Sequence, residues 1–278
     1  GGPLSLTLNM EVLSPMHWTL LGLGSFIMGM SKGGIPGAGN LTVAIFALVL
    51  EDALGPVGVA LSVGLLLPVL ISADLTATIV YRRHADWKYI VRLLPFFLIG
   101  TTLGWWVFDY FQGGDERVHL LKVLIGGILL SMTVLHFFVK FRKKNKASNR
   151  TEDEKNEKTP KGSIGLGILF GSLGGVATML ANAAGPVAQL YLLVMGLPKY
   201  AFIGTSAWLF LIVNVCKVPF MIELEIITLD SMTVSGWMFI PAILGAATAP
   251  LLVKYLNQAL FERLIWIFIV IAGLRMIY

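Results

Sequence analysis

The residues with the clearest chemical potential lie in the stretch Ser31 to Asn40, which reads Ser-Lys-Gly-Gly-Ile-Pro-Gly-Ala-Gly-Asn between two short apolar runs. Proline removes a backbone donor and glycine lowers helix propensity, so we expect a helix to stop here. Free backbone N–H groups beside a lysine ammonium are suited to holding a small oxyanion. The candidate contacts in this stretch are Lys32, Gly33, Gly34, Gly37 and Asn40.

A second set of candidate contacts lies in the other half of the chain. Asn214 and Lys217 are three positions apart in an apolar run, so on a helix they share a face. Asparagine side chains donate neutral hydrogen bonds to an anion. We therefore add Asn214 and Lys217 to the candidate anion site, with Ser206 from the same segment and Asn182 from residues 171–186.

Asp74 lies inside a long apolar run, Val57 to Val80, where an ionised carboxylate needs a partner. Three roles fit it: counter-ion of Lys217, proton carrier, or a residue near the cytoplasmic end of its helix. We treat it as the candidate proton-coupling residue. Lys32 and Lys217 also have a simpler interpretation, in which their long side chains reach the membrane surface.

The sequence offers no recognisable catalytic or metal centre. Cys216 is the only cysteine, which excludes an internal disulfide, and His17, His119 and His136 lack metal-ligand spacing. No glycine-rich loop ends in Gly-Lys-Ser or Gly-Lys-Thr, so ATP is not the expected energy source. We expect neither an enzyme nor a bound metal or cofactor.

The composition predicts that these residues lie in a membrane. Of the 278 residues, 56% are hydrophobic and 13% are charged, whereas about a quarter are charged in soluble domains. The apolar runs are continuous rather than alternating, which favours helices. The net charge of +5 comes largely from loops beside these runs, a pattern of membrane topology rather than of nucleic-acid binding. We expect an all-α integral membrane protein with no nucleic-acid partner.

The chain divides into two similar halves. We predict an N-terminal tail at 1–17, a first transmembrane repeat at 18–139, a charged cytoplasmic linker at 140–162 and a second repeat at 163–278. Each half has about five helical segments and begins with a short pair, broken at 31–40 and at 171–186. Such matching breaks are typical of transporters with a site near the membrane midplane, where we expect the two breaks to meet. Close helix packing is the other explanation for these glycines.

Loop charges orient the two halves. Basic residues cluster in the loops Arg82 to Lys88 and Lys254 to Arg263 and in the linker, and acidic residues occupy the opposite loops. With the basic side in the cytoplasm, an odd number of crossings in each half makes them inverted repeats. If the short pairs are re-entrant instead, eight spans remain and the loop sides do not change. Arg82, Arg83 and His84 act either as a topology anchor or as an anion-attracting vestibule.

Three motifs together carry a resemblance to a known family. They are Gly29-Met30-Ser31-Lys32-Gly33-Gly34-Ile35-Pro36-Gly37; Ala73-Asp74-Leu75 followed by Tyr81-Arg82-Arg83-His84-Ala85-Asp86-Trp87; and Gly204-Thr205-Ser206 followed by Asn214 and Lys217-Val218-Pro219. With these motifs the chain resembles the TauE/SafE sulfite exporter family from about Trp18 to its end. The resemblance implies a bacterial inner-membrane carrier of two repeats that moves sulfite, thiosulfate or organosulfonates such as sulfoacetate, commonly outward.

We therefore predict a multi-pass secondary transporter that opens a central anion site to each side of the membrane in turn. A passive anion channel is the alternative. A membrane enzyme is a further alternative, for which the residues provide no nucleophile, metal set or acid–base pair. The expected partners are a small anion and the lipid bilayer, and the assembly we consider is a homodimer.

Overall fold

The structure is a computed structural model that describes residues 12–35, 38–111, 164–195 and 197–252 and, in a further helical stretch, residues 117, 119–121, 123–128, 130, 131 and 134. Within these ranges the regular structure is helical and no strand occurs. For this part of the chain the all-α prediction is confirmed. The predicted linker at 140–162 lies outside the described residues.

Eight helices have defined bounds in the described ranges. They are α1 (Pro15–Lys32), α2 (Ala38–Leu54), α3 (Pro56–Tyr81) and α4 (Trp87–Phe111) in the first half, and α5 (Ile164–Ala181), α6 (Gly185–Val194), α7 (Lys199–Glu223) and α8 (Leu229–Leu252) in the second. Four of them, α3, α4, α7 and α8, are long and apolar enough to cross a membrane. This is the architecture of a multi-pass membrane protein.

The first helix begins earlier than the sequence pattern predicts. α1 starts at Pro15 rather than at Trp18, because Ser14 caps it: the Ser14 hydroxyl accepts a hydrogen bond from the His17 backbone N–H at 3.3 Å. Pro15 occupies the first turn, where its missing N–H costs nothing. Helix α1 therefore takes in Pro15, Met16 and His17, which precede the predicted start of the first repeat at residue 18.

Both chain breaks are shorter than predicted. α1 continues to Lys32 and α2 begins at Ala38, so Gly39 and Asn40 are helical rather than part of the open backbone. In the second half, α5 runs unbroken through Gly174 and Gly175 to Ala181, and the chain leaves the helix only at 182–184. The prediction that the paired glycines mark the second break is wrong.

These paired glycines serve helix packing, which the sequence left as the alternative. A Cβ atom on Gly175 would overlap the backbone of Phe97 and lie 2.6 Å from the Thr101 nitrogen on α4. Gly100 approaches the Ser172 backbone of α5 in the same way. α4 and α5 therefore touch backbone to backbone, as small residues allow in membrane helices.

Helices of the first half pack on helices of the second half, around a central α3. α4 packs chiefly on α5, and α1 packs chiefly on α8, where Gly29 lies against Ala242 and Gly245 lies against Phe26. α3 contacts α1, α2, α7 and α8. The most apolar window of α3 is 78% buried, compared with 33–44% for α4, α7 and α8, so α3 is the central helix.

We expect Gly175→Val to destabilise the fold by about 1–3 kcal/mol, since a branched side chain must force α4 and α5 apart. The measurement is thermal unfolding of the purified protein in detergent. Gly167→Ala is the matched control on α5, because its added Cβ would have its nearest neighbour at 3.7 Å. Equal melting temperatures for the two variants would contradict the packing assigned to Gly175.

Candidate functional site

The first break begins where α1 ends, at Lys32. Gly33 caps the helix, with its N–H bonded to the Gly29 carbonyl at 2.8 Å, and Gly34 has a φ of +130°, which favours glycine. The Tyr81 hydroxyl, at the end of α3, donates to the Gly33 carbonyl at 3.0 Å. The N–H groups of Gly33, Gly34 and Ile35 all donate to carbonyls of α1, so the prediction of free backbone donors at Gly33 and Gly34 is wrong.

The start of α2 lies directly beside the end of α1. The Gly39 N–H donates to the Ser31 hydroxyl at 3.0 Å, so a side chain of α1 caps the first turn of α2. Asn40, one residue further, is buried, and its Nδ2 has no hydrogen-bond partner among the described residues. Gly37 lies outside the described residues.

Lys32 and Asp74 form a buried ion pair. The Lys32 Nζ lies 2.7 Å from Asp74 Oδ1, and the Asp74 side chain is fully buried, while that of Lys32 keeps 16% exposure. The ring of Phe210 on α7 lies under the same ammonium, 4.4 Å from Nζ to the ring centroid. Lys32 is therefore turned into the protein, and the snorkelling interpretation does not describe it.

Asp74 is held from two sides. Asn214 Nδ2 on α7 donates to Asp74 Oδ2 at 2.7 Å, opposite the contact with Lys32. Asn214 Oδ1 and Thr78 Oγ1, one turn beyond Asp74 on α3, are buried without a partner among the described residues. The direct counter-ion of Asp74 is thus Lys32 rather than Lys217.

Lys217 is fully buried and lies at the end of α5. Its Nζ is 2.7 Å from the Thr178 carbonyl, 3.2 Å from Thr178 Oγ1 and 2.6 Å from Asn182 Oδ1. Three oxygen acceptors match the three hydrogens of an ammonium. A cation at a helix C-terminus also meets the partial negative charge of the helix dipole.

Asn182 ends α5 and connects that end to the central helix. Its φ of +50° lies in the left-handed region, which asparagine tolerates better than most residues. Its Nδ2 donates to the Val63 carbonyl of α3 at 2.9 Å, while its Oδ1 receives Lys217. One asparagine side chain therefore links α5, α3 and α7.

The two breaks contact α3 at different levels, at Asp74 and at Val63. These positions are eleven residues apart, which is about 16 Å along a helix axis. The expectation that the breaks meet at one level is therefore wrong. They are connected instead through α7, where Asn214 and Lys217 are one turn apart: Asn214 bonds Asp74, and Lys217 bonds Asn182.

The contacts above join Lys32, Asp74, Asn214, Lys217, Thr178 and Asn182 into one polar cluster. Ser206 is not brought into this cluster by any described contact. It lies two turns before Asn214 on α7, and its Oγ has no hydrogen-bond partner among the described residues. The neighbouring Thr205 hydroxyl accepts the Asp86 N–H at 2.9 Å, which ties this end of α7 to the loop after α3.

The sequence analysis missed two side chains that the structure adds to the cluster, Thr178 and Phe210. Thr178 precedes Asn182 by one helical turn, so a helix prediction through residue 182 would have placed both on one face. Nothing in the sequence marks Phe210 among the other aromatic residues of α7. Its role follows only from the packing of α7 on the end of α1.

We expect Lys217→Met to lower the free energy of unfolding by about 2–5 kcal/mol, because buried oxygens of Thr178 and Asn182 lose their donor. Thermal unfolding in detergent measures the effect. Lys88→Met, at an exposed position at the start of α4, is the control. Similar melting temperatures for both variants would show that the Lys217 ammonium does not hold the end of α5.

Comparison with known proteins assigns a family to this arrangement. The family model described as "Sulfite exporter TauE/SafE" matches residues 21–276, which takes in both breaks, the Lys32–Asp74 pair and Lys217. No curated protein and no solved structure matches the chain. Since the match covers nearly the whole chain, the protein belongs to the TauE/SafE sulfite exporter family of membrane transporters.

Proposed function

We propose that this protein is a secondary carrier for a small sulfur-containing or organic anion, such as sulfite, thiosulfate or an organosulfonate like sulfoacetate. It works in the inner membrane of a bacterium and moves the anion outward without changing it chemically. Membership of a family of sulfite exporters supports the class of cargo and the direction. The choice of residues rests on the geometry around Lys32.

The observation that carries the proposal is an incompletely satisfied ammonium at a broken helix. Lys32 has one carboxylate oxygen at 2.7 Å and the face of Phe210 beside it, which leaves N–H capacity unused. Asn40, in the first turn of the adjoining helix, offers a buried amide nitrogen that has no partner in the part of the chain that the structure describes. A charge-assisted hydrogen bond from Lys32 to an oxyanion is strong in such surroundings.

Lys32 and Asn40 are therefore the preferred substrate contacts, whereas the N–H groups of Gly33 and Gly34 already donate to carbonyls of α1. Lys217 and Asn182 already satisfy each other, so in this proposal they position the site rather than bind the anion. Asn214 acts through Asp74, which we propose as the proton-coupling residue. When Asp74 takes up a proton, its attraction for Lys32 weakens, and the positive charge available to the anion rises by one.

Inverted repeats are part of the proposal, with the first repeat at 18–139 and the second at 163–278. Three features support them: α1 packs on α8 while α4 packs on α5, α1 and α5 each contain 18 residues, and Asp74 and Lys217 are both the nineteenth residue of their helices. Alternating access then consists of one repeat rocking against the other around the cluster.

Transport in proteoliposomes tests the carrier. Vesicles loaded with unlabelled sulfite or thiosulfate should accumulate labelled anion transiently, because a carrier exchanges substrate one molecule at a time. A channel would instead give conductance under an applied voltage and no stimulation by anion on the opposite side. Chloride-loaded vesicles and vesicles without protein are the controls.

We expect Lys32→Gln to weaken anion binding by about 10- to 100-fold, which corresponds to the loss of one charged hydrogen bond. Lys88→Gln, a change of equal charge at an exposed position, should leave binding unchanged. Calorimetric titration with thiosulfate measures both. Wild-type affinity in folded Lys32→Gln protein would place the anion elsewhere.

A further inference from the structure

The charges of the polar cluster do not cancel. In the described part of the chain, Asp74 and Lys217 are the charged residues in the buried class, and Lys32 adjoins them. With all three ionised, two lysines accompany one aspartate, and the cluster has a formal charge of +1. A buried site with an uncompensated charge is costly unless another charge enters.

Both lysines have neighbours that stabilise a positive charge. Lys217 has three oxygen acceptors within hydrogen-bond distance of its Nζ, one of them a carbonyl near the C-terminus of α5. Lys32 has a carboxylate and an aromatic face. In the proposal that follows, both lysines stay charged, and Asp74 is the group that takes up and releases the proton.

Other charged groups on the helices around α3 do not face Asp74. α5 has none in its described range, α1 contributes Lys32 at its last residue, and α7 contributes Lys217 six residues before its end. The remaining acidic and histidine side chains belong to the ends of their helices away from Asp74: His17 of α1, Glu51 and Asp52 of α2, Glu223 of α7 and Asp230 of α8.

Asn214 is able to serve Asp74 in both protonation states. Its Nδ2 donates to the carboxylate at 2.7 Å, and its Oδ1 is buried without a partner among the described residues. Rotation of the amide by half a turn brings Oδ1 to the same place, where it accepts the O–H of a protonated Asp74. The site therefore holds either form of Asp74 without losing this hydrogen bond.

From these observations we infer that the charge of the bound anion decides whether Asp74 in the cluster is protonated. A singly charged oxyanion neutralises the +1 cluster and binds with Asp74 ionised. A doubly charged oxyanion reaches the same neutrality only with one proton on an Asp74 oxygen, taken from water and returned to water when the anion leaves. The inference rests on the proposed function and deepens it by fixing the proton stoichiometry for each class of anion.

The test compares two probes of fixed valence on the wild-type protein in detergent. Methanesulfonate stays singly charged and thiosulfate stays doubly charged from about pH 6 to about pH 8. We expect thiosulfate affinity to fall about tenfold for each pH unit where Asp74 is ionised in the free protein, and methanesulfonate affinity to stay constant. Calorimetry in buffers of different ionisation enthalpy should count about one proton taken up with thiosulfate and none with methanesulfonate.

Asp74→Asn provides the matched variant. It fixes the cluster at +2, so thiosulfate should bind without proton uptake. The ratio of thiosulfate affinity to methanesulfonate affinity should be at least about tenfold higher in this variant than in the wild-type protein. Asp109→Asn removes an exposed carboxylate from α4 and should change neither quantity. The melting temperature of each variant establishes that it is folded.

The possible failures are distinguishable. If neither probe nor sulfite binds the wild-type protein, the proposed anion site itself is wrong. If both probes bind with the same proton uptake, or with none, the anion site stands, but the inference that proton uptake depends on the charge of the anion is overturned. The wild-type calorimetry decides this even if Asp74→Asn does not fold.

Discussion

Two helices that end inside an apolar bundle impose the constraint on which the rest of the structure depends. α1 stops at Lys32 and α5 stops at Ala181, and the carbonyl groups at such ends have partial negative charge that lipid cannot satisfy. A lysine ammonium lies at each end: Lys32 belongs to α1 itself, and Lys217 reaches α5 from α7. At the end of α5 the Lys217 ammonium bonds the Thr178 carbonyl, whereas at the end of α1 the Gly33 N–H bonds the Gly29 carbonyl and the Lys32 ammonium pairs with Asp74.

The two lysines have different numbers of hydrogen-bond partners. This difference suits Lys217 to holding the fold and Lys32 to binding a ligand. Lys217 has three acceptors and leaves no hydrogen free, so its contacts hold α5, α3 and α7 together through Asn182. Lys32 has one carboxylate partner and an aromatic ring, and it retains part of its exposure. A ligand with negative charge therefore gains more at the end of α1 than at the end of α5.

The scaffold around the cluster keeps its charges in place. Backbone contact at Gly175 joins α4 to α5, and equivalent contacts at Gly29 and Gly245 join α1 to α8, so helices of one half are fixed to helices of the other. The central α3 contacts one break through Val63 and the other through Asp74. A shift of α7 along α3 would alter both contacts at once, because Asn214 and Lys217 are one turn apart.

The sequence alone determined the helical membrane class, the first break and most of the polar residues near it, because hydropathy, glycine and proline act locally. It did not determine the second break: Gly174 and Gly175 have the same composition signal as Gly33 and Gly34, yet they lie inside α5. Only the tertiary structure decides between a break and a packing surface, since the deciding factor is the α4 backbone against those glycines. It likewise assigns Asp74 to Lys32 rather than to Lys217, because an ion pair between distant segments depends on which helices touch.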